Sequence, residues 1–112
     1  MTTSTGMEII ALEEHYWDTV IPDTFAGPNS SRRGALLDRL YDLGDLRIKE
    51  MDEAGIDIQV LSHGAPSAQR LDAQNGPAIA REANDKLHAT VQSHPHRFAG
   101  FAALATAHPE SA

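Results

Sequence analysis

The stretch Glu8-Ile9-Ile10-Ala11-Leu12-Glu13-Glu14-His15 decides how this chain is read. It is an apolar run that ends abruptly in two carboxylates and an imidazole. In a buried parallel strand the apolar residues are consumed by packing, and charged groups gathered at one end face a cleft. Successive strand side chains alternate between faces, so Glu13 and His15 are expected on one face and Glu14 on the other. A carboxylate oxygen beside an imidazole nitrogen suits a divalent metal, at ligand distances of about 2.0–2.2 Å. Two donors do not close a metal site, and the same pattern fits a merely solvated strand end.

The strand, read from Glu8 to about Glu13, is followed by Tyr16-Trp17-Asp18 and then by turn formers, Ile21-Pro22-Asp23 and Gly27-Pro28-Asn29-Ser30-Ser31. A connection of this length in a compact domain is usually functional, and this one leaves the strand end that carries Glu13 and His15. Tyr16, Trp17 and Phe25 either line an aromatic pocket beside the metal or cap the edge of the core. Helical spacing begins near Ala35 with Leu36, Leu37, Leu40, Tyr41 and Leu43 on one face. Gly44 offers a stop and Asp45 an N-cap, which predicts a second helix carrying Leu46, Ile48 and Met51 and ending at Gly55. The β-branched run Ile56-Asp57-Ile58-Gln59-Val60-Leu61 predicts a second strand, ending in Ser62-His63-Gly64. A loop from Ala65 to Gly76 precedes Pro77, suited to a first helical position. Ile79, Ala80, Ala83, Leu87 and Val91 then form a core-facing stripe, with the helix expected to stop before Pro95. Phe98 to Leu104 reads as a third strand, and His108-Pro109-Glu110-Ser111-Ala112 as the start of another helix.

Strand and helix alternate, the pattern of parallel βαβ units, whose ligands bind at the carboxyl ends of strands. The expected fold class is therefore α/β. Three strands with open edges make a poor independent domain, so the chain reads as the front of something larger. Its 112 residues allow one domain. A hydrophobic content of 41% and a charged content of 22% describe an ordinary globular chain. The net charge of −7 opposes attraction to nucleic acid or anionic membranes. No apolar run approaches the ~20 residues of a membrane span, and the polar start Met1 to Gly6 lacks a signal-peptide pattern, so a cytoplasmic location is expected. The absence of cysteine removes disulfides and thiolate ligands.

Ala11-Leu12-Glu13-Glu14-His15 stands together with Arg47 to Asp57, Leu61-Ser62, Ala83-Asn84-Asp85 and Arg97 to Leu104. In these ordered motifs the chain resembles the amidohydrolase-related metal-dependent decarboxylases, most of all the γ-resorcylate (2,6-dihydroxybenzoate) decarboxylase branch. The resemblance runs from Glu8 to the last residue. It implies the N-terminal portion, about three βα units, of a TIM-type (β/α)₈ barrel, with residues 1–112 a single partial domain incomplete at its C-terminus. It assigns Glu13 and His15 to a divalent metal, manganese or zinc, with the remaining ligands and the proton donor beyond Ala112. The implied reaction is non-oxidative decarboxylation of a hydroxylated aromatic carboxylate by a carboxy-lyase, a homo-oligomer at full length. Glutamate at position 13 favours this over a hydrolase of the same superfamily; an inactive fragment acting as an interaction module is the remaining reading. No residue of the chain is assigned as catalytic. Two positions depart from the family pattern: His63 replaces an apolar residue, and Ala105 replaces a proline. His63 is either a substrate contact, with Tyr16, Trp17 and Phe25, or a solvated loop histidine. Arg70 is an equally unselected partner for a substrate carboxylate. His88, His94, His96 and His108 read as surface residues.

Overall fold

Strand β1 (Ile10–Tyr16) leads, after a connection, into helices α1 (Ala35–Tyr41) and α2 (Asp45–Ala54), then into strand β2 (Ile58–His63). Helix α3 (Gly76–Ser93) and strand β3 (Phe98–Gly100) complete the order, with short 3₁₀ turns at Ser67–Arg70 and Pro109–Ser111. This computed structural model describes residues 6–19, 21, 35–65 and 67–112, and in α1 the side chains from Asp38 onward. The three strands form one parallel sheet in the order β1-β2-β3. Each step between neighbours passes through helix, as parallel pairing requires.

The ends of these elements follow local chemistry. Gly55 closes α2 in the left-handed region at φ 76°, which glycine enters without steric cost. Pro77 sits in the first turn of α3, where its missing N–H is no loss. The expected N-cap at Asp45 is not used: Asp45 is the first helical residue, and Gly44 stands at the cap position without a side-chain cap bond. Asp42 acts instead, accepting the Gly44 and Arg47 amides at 2.9 and 3.1 Å on one carboxylate oxygen. The third strand is shorter than its apolar run suggested. Beyond Gly100 the backbone of Ala103 is taken by the Asn84 side chain, which donates to its carbonyl at 2.9 Å and accepts its amide at 2.7 Å.

The helices cover one face of the sheet. Tyr16, Leu61 and Phe98 pack there against Met51 of α2 and Leu87 of α3, and Leu61 is wholly buried. A second cluster joins Ile21, Ala68, Ala80, Ala83 and Ala105. Ala105, a departure from the family pattern, thus has a packing role. The other face is open: Ile10 is 51% exposed and Phe101 63%. Among the described residues no helix is long and apolar enough to cross a membrane.

Strand β1 is not regular. Ala11 pairs with Gln59 and Glu14 with Leu61, so Leu12 and Glu13 together stand opposite Val60. Glu13 carries the bend at φ 60°, an uncommon backbone for a residue with a side chain. This is a β-bulge, a device that re-aims side chains and often stands near active sites.

Candidate metal centre

The bulge decides which side chains of β1 face where. Paired residues of neighbouring strands lie on the same face of a sheet. Ile10 is opposite Ile58 and His15 opposite Ser62, on the open face that also carries Val60; Glu14 and Tyr16 are opposite Leu61 and His63, on the helix face. Uninterrupted alternation would have grouped Ile10 with Glu14 and Tyr16. The extra residue exchanges the faces midway and leaves Leu12 66% exposed, where a regular strand would turn it toward the helices. Glu13 has no partner in the ladder, and it lies exposed at the bulge two residues before His15.

Glu13 and His15 are both exposed at the carboxyl end of β1. The His15 Nδ1 lies 3.2 Å from the Ser62 hydroxyl and 3.4 Å from the Ser62 carbonyl. With the proton on Nδ1 donating to these oxygens, Nε2 keeps its lone pair for a cation, the arrangement usual for metal-bound histidine. An anionic oxygen and an oriented imidazole on one strand end therefore fit a divalent ion. No group of three or more histidine, aspartate or glutamate side chains converges among the described residues.

Glu14 takes the other face, as expected. There it accepts from Gln59 Nε2 at 3.5 Å, while Gln59 Oε1 accepts from Arg47 at 3.2 Å. Arg47 also donates to the carbonyls of Asp42 at 2.7 Å, Arg39 at 3.0 Å and His15 at 3.3 Å. Burial draws its guanidinium below its ordinary pKa, while Glu14, Asp42 and Glu50 pull the other way. The group stays charged, since arginine does not deprotonate in proteins. Arg47 lies within a motif that carries the family resemblance, yet nothing in its spacing announced this hub. Three of its partners are main-chain carbonyls, which sequence does not display.

The four residues read as substrate contacts are placed differently from one another. Tyr16 is a core residue, 1% exposed, and burial with the nearby Asp18 charge pushes its hydroxyl up to about 12. Trp17 is 5% exposed, so both aromatics are buried at the edge of the core. Phe25 lies outside the described residues. His63 is a half-buried residue and not a solvated one. Its Nδ1 donates to the Gly64 carbonyl at 2.9 Å and its Nε2 accepts the Asp18 amide at 3.0 Å. Both nitrogens are thereby used within the chain, and burial holds the imidazole below its ordinary pKa. Of the other histidines, His94 and His108 are half-buried: His94 meets Phe98 edge-on with ring centroids 5.8 Å apart, and His108 bonds Ser111. His88 and His96 are exposed, as expected.

No family profile matches the chain. Known proteins do. It is 40% identical over 108 residues to the γ-resorcylate decarboxylase of Rhodococcus jostii, an alignment covering 92% of this chain and 32% of that one. The structure of a dihydroxybenzoic acid decarboxylase from a Polaromonas species, with bound manganese and the inhibitor 2-nitroresorcinol, superimposes with a TM-score of 0.78 at 38% identity, over 95% of this chain and 33% of the other. The manganese-bound 5-carboxyvanillate decarboxylase of Novosphingobium aromaticivorans gives a TM-score of 0.75 at 31% identity, over 89% of this chain and 34% of the other. The chain spans about a third of the length of the curated relatives it matches. The resemblance read from the motifs is borne out: over nearly its whole length the chain is homologous to a third of the amidohydrolase-related aromatic-carboxylate decarboxylases, enzymes of the α/β barrel fold.

Proposed function

We propose that this chain contributes the first two ligands, Glu13 and His15, of a divalent metal centre in a carboxy-lyase acting on hydroxylated aromatic carboxylates. The observation that carries the reading is that Glu13 and His15 are both exposed at the carboxyl end of a strand in a parallel sheet. The likeness to decarboxylases with bound manganese supports the metal and the substrate class. A bound divalent cation supplies Lewis acidity and a template for carboxylate and ortho-hydroxyl oxygens. The residues of the chain prepare that site. Glu13 contributes a negatively charged oxygen, and His15 a neutral nitrogen whose ring Ser62 holds in orientation. Arg47 fixes the His15 carbonyl from behind. Glu14, turned toward Gln59, leaves the open face with one carboxylate from this strand.

In the net reaction the bond between ring carbon and carboxylate breaks, the ring carbon gains a proton and carbon dioxide leaves without redox change. Glu13 and His15 are ligands in this scheme and carry no proton. Their chemistry suits manganese and zinc alike, and manganese is preferred here by likeness. We read the chain as a single unit of a larger barrel that the rest of the protein completes.

The test is metal content by mass spectrometry, with carbon dioxide release from 2,6-dihydroxybenzoate, in the protein that carries this chain. Glu13→Gln and His15→Asn are each expected to lose most of the bound manganese and the turnover with it. Full manganese content and turnover in Glu13→Gln would overturn the ligand assignment.

A further inference from the structure

His63 is a polar group on the helix face, outside the candidate metal centre. It stands where β1 and β2 both end, and the backbone around it is closely tied. The Gly64 amide donates to the Tyr16 carbonyl at 2.9 Å, extending the ladder past Tyr16 and His63. The Trp17 amide donates to Leu40 at 2.9 Å. The Asp18 amide donates to His63 Nε2 at 3.0 Å, and Nδ1 of the same ring donates to the Gly64 carbonyl at 2.9 Å. One imidazole thus bridges the backbone leaving β1 and the backbone leaving β2. Tyr16 and Trp17 flank it, with ring centroids at 5.4 and 5.8 Å. The indole closes over Gly64 so tightly that a Cβ there would meet Trp17 Nε1 at 2.6 Å. His63 and Gly64 therefore act together, one as the clamp and the other as the space the clamp needs.

We propose that His63 is a positioning residue: with its ring between the Asp18 amide and the Gly64 carbonyl, it fixes the path of the chain leaving β1 beside Glu13 and His15. The consequence for substrate binding rests on the decarboxylase reading; the clamp itself does not. An acceptor at Nε2 is the essential feature. An apolar residue of similar size fills the space without holding the Asp18 amide. Glutamine can present an oxygen where Nε2 stood.

The experiment compares His63→Leu and His63→Gln in the protein that carries this chain. Amide hydrogen exchange at Asp18 is read by NMR, together with manganese content and the KM and kcat for 2,6-dihydroxybenzoate. His63→Leu is expected to speed Asp18 exchange about tenfold, the loss of one net hydrogen bond. It should raise KM several-fold, leaving kcat and manganese content near wild type, and His63→Gln should restore most of both losses. Unchanged Asp18 exchange in His63→Leu, or equal losses in the two variants, would overturn the clamp. A KM unmoved while exchange accelerates would overturn its role in positioning. Should the wild-type protein lack decarboxylase turnover, the decarboxylase reading falls and the exchange comparison alone decides the clamp.

Discussion

Replacing Gly64 by alanine tests the packing at the ends of β1 and β2 with a single methyl group. Gly64 is not among the residues with positive φ, so its backbone accepts alanine. On that ground alone the exchange should stabilise the protein by about 0.4–1 kcal/mol, through the lower entropy of the unfolded chain. The neighbours reverse the sign. The new Cβ would lie 2.6 Å from Trp17 Nε1, 3.3 Å from Cδ1 and 3.4 Å from Cε2. An indole is rigid, and this one is buried and lies tilted against His63, on a backbone whose amide donates to the Leu40 carbonyl. Forcing a methyl into a packed site of this kind costs about 1–3 kcal/mol. The two effects together give a net destabilisation of about 1–2 kcal/mol. Gly100→Ala is the internal comparison. Its Cβ would also be close, 2.8 Å from Leu87 Cδ2 and 3.1 Å from Cγ, but Leu87, though buried, is an aliphatic chain with two rotatable bonds and not a rigid ring. A cost toward the low end of overpacking, about 1 kcal/mol or less, is expected there. Guanidinium unfolding followed through the fluorescence of Trp17, the one tryptophan of these residues, measures both. A Gly64→Ala variant at least as stable as wild type, or costing no more than Gly100→Ala, would refute the packing described for this corner.

Two further outcomes are expected from the same kind of measurement. Arg47→Met removes the donor shared by the carbonyls of His15, Arg39 and Asp42 and should cost about 2–4 kcal/mol, with Arg47→Lys in between because an ammonium cannot span all of them; a lysine variant indistinguishable from wild type would sink the hub. The second concerns acid. Burial lowers the His63 pKa in the folded protein, so the contribution of the neutral ring is fully present above the unfolded value and is lost as pH falls through the folded one. Asp18 opposes this shift and His15 adds to it. Unfolding free energy should therefore decline below neutrality, and His63→Leu should flatten that decline in a pH series of denaturation midpoints.

Among the described residues the periodicities located each strand and α-helix, because each answers to one local signal. β-branched runs mark β2, Gly55 and Pro77 punctuate the helices, and the stripe from Ile79 to Val91 marks the buried side of α3. Boundaries moved where a distant partner intervened. β1 runs on to Tyr16 because its charged end still pairs with β2. β3 stops at Gly100, and Asn84, nineteen positions before Ala103, takes up the backbone beyond. Asp42 displaced Asp45 as the cap because the tight connection at Gly44 brings its carboxylate under two amides. The candidate ligands were legible, since a carboxylate and an imidazole two residues apart are visible in sequence. The roles of Arg47 and His63 were not, because their partners are main-chain groups on other elements. The burial of Tyr16 and Trp17 was not legible for a related reason: an aromatic side chain at a strand end serves core and cleft equally well until the register is known.

That register explains how three consecutive ionisable residues can serve two separate ends. In a regular strand Leu12, Glu14 and Tyr16 would share the helix face. The bulge takes one extra residue and turns Leu12 outward. Glu14 is then free to meet Gln59, and through it Arg47, on the buried side, where its charge is compensated. The open face around Glu13 and His15 is apolar, with Ile10, Leu12 and Phe101 all more than half exposed. Covering such a surface excludes water, and the attraction between a carboxylate and a divalent ion grows as the local dielectric falls. Metal affinity should accordingly depend on whatever closes over this face as much as on the two ligands themselves.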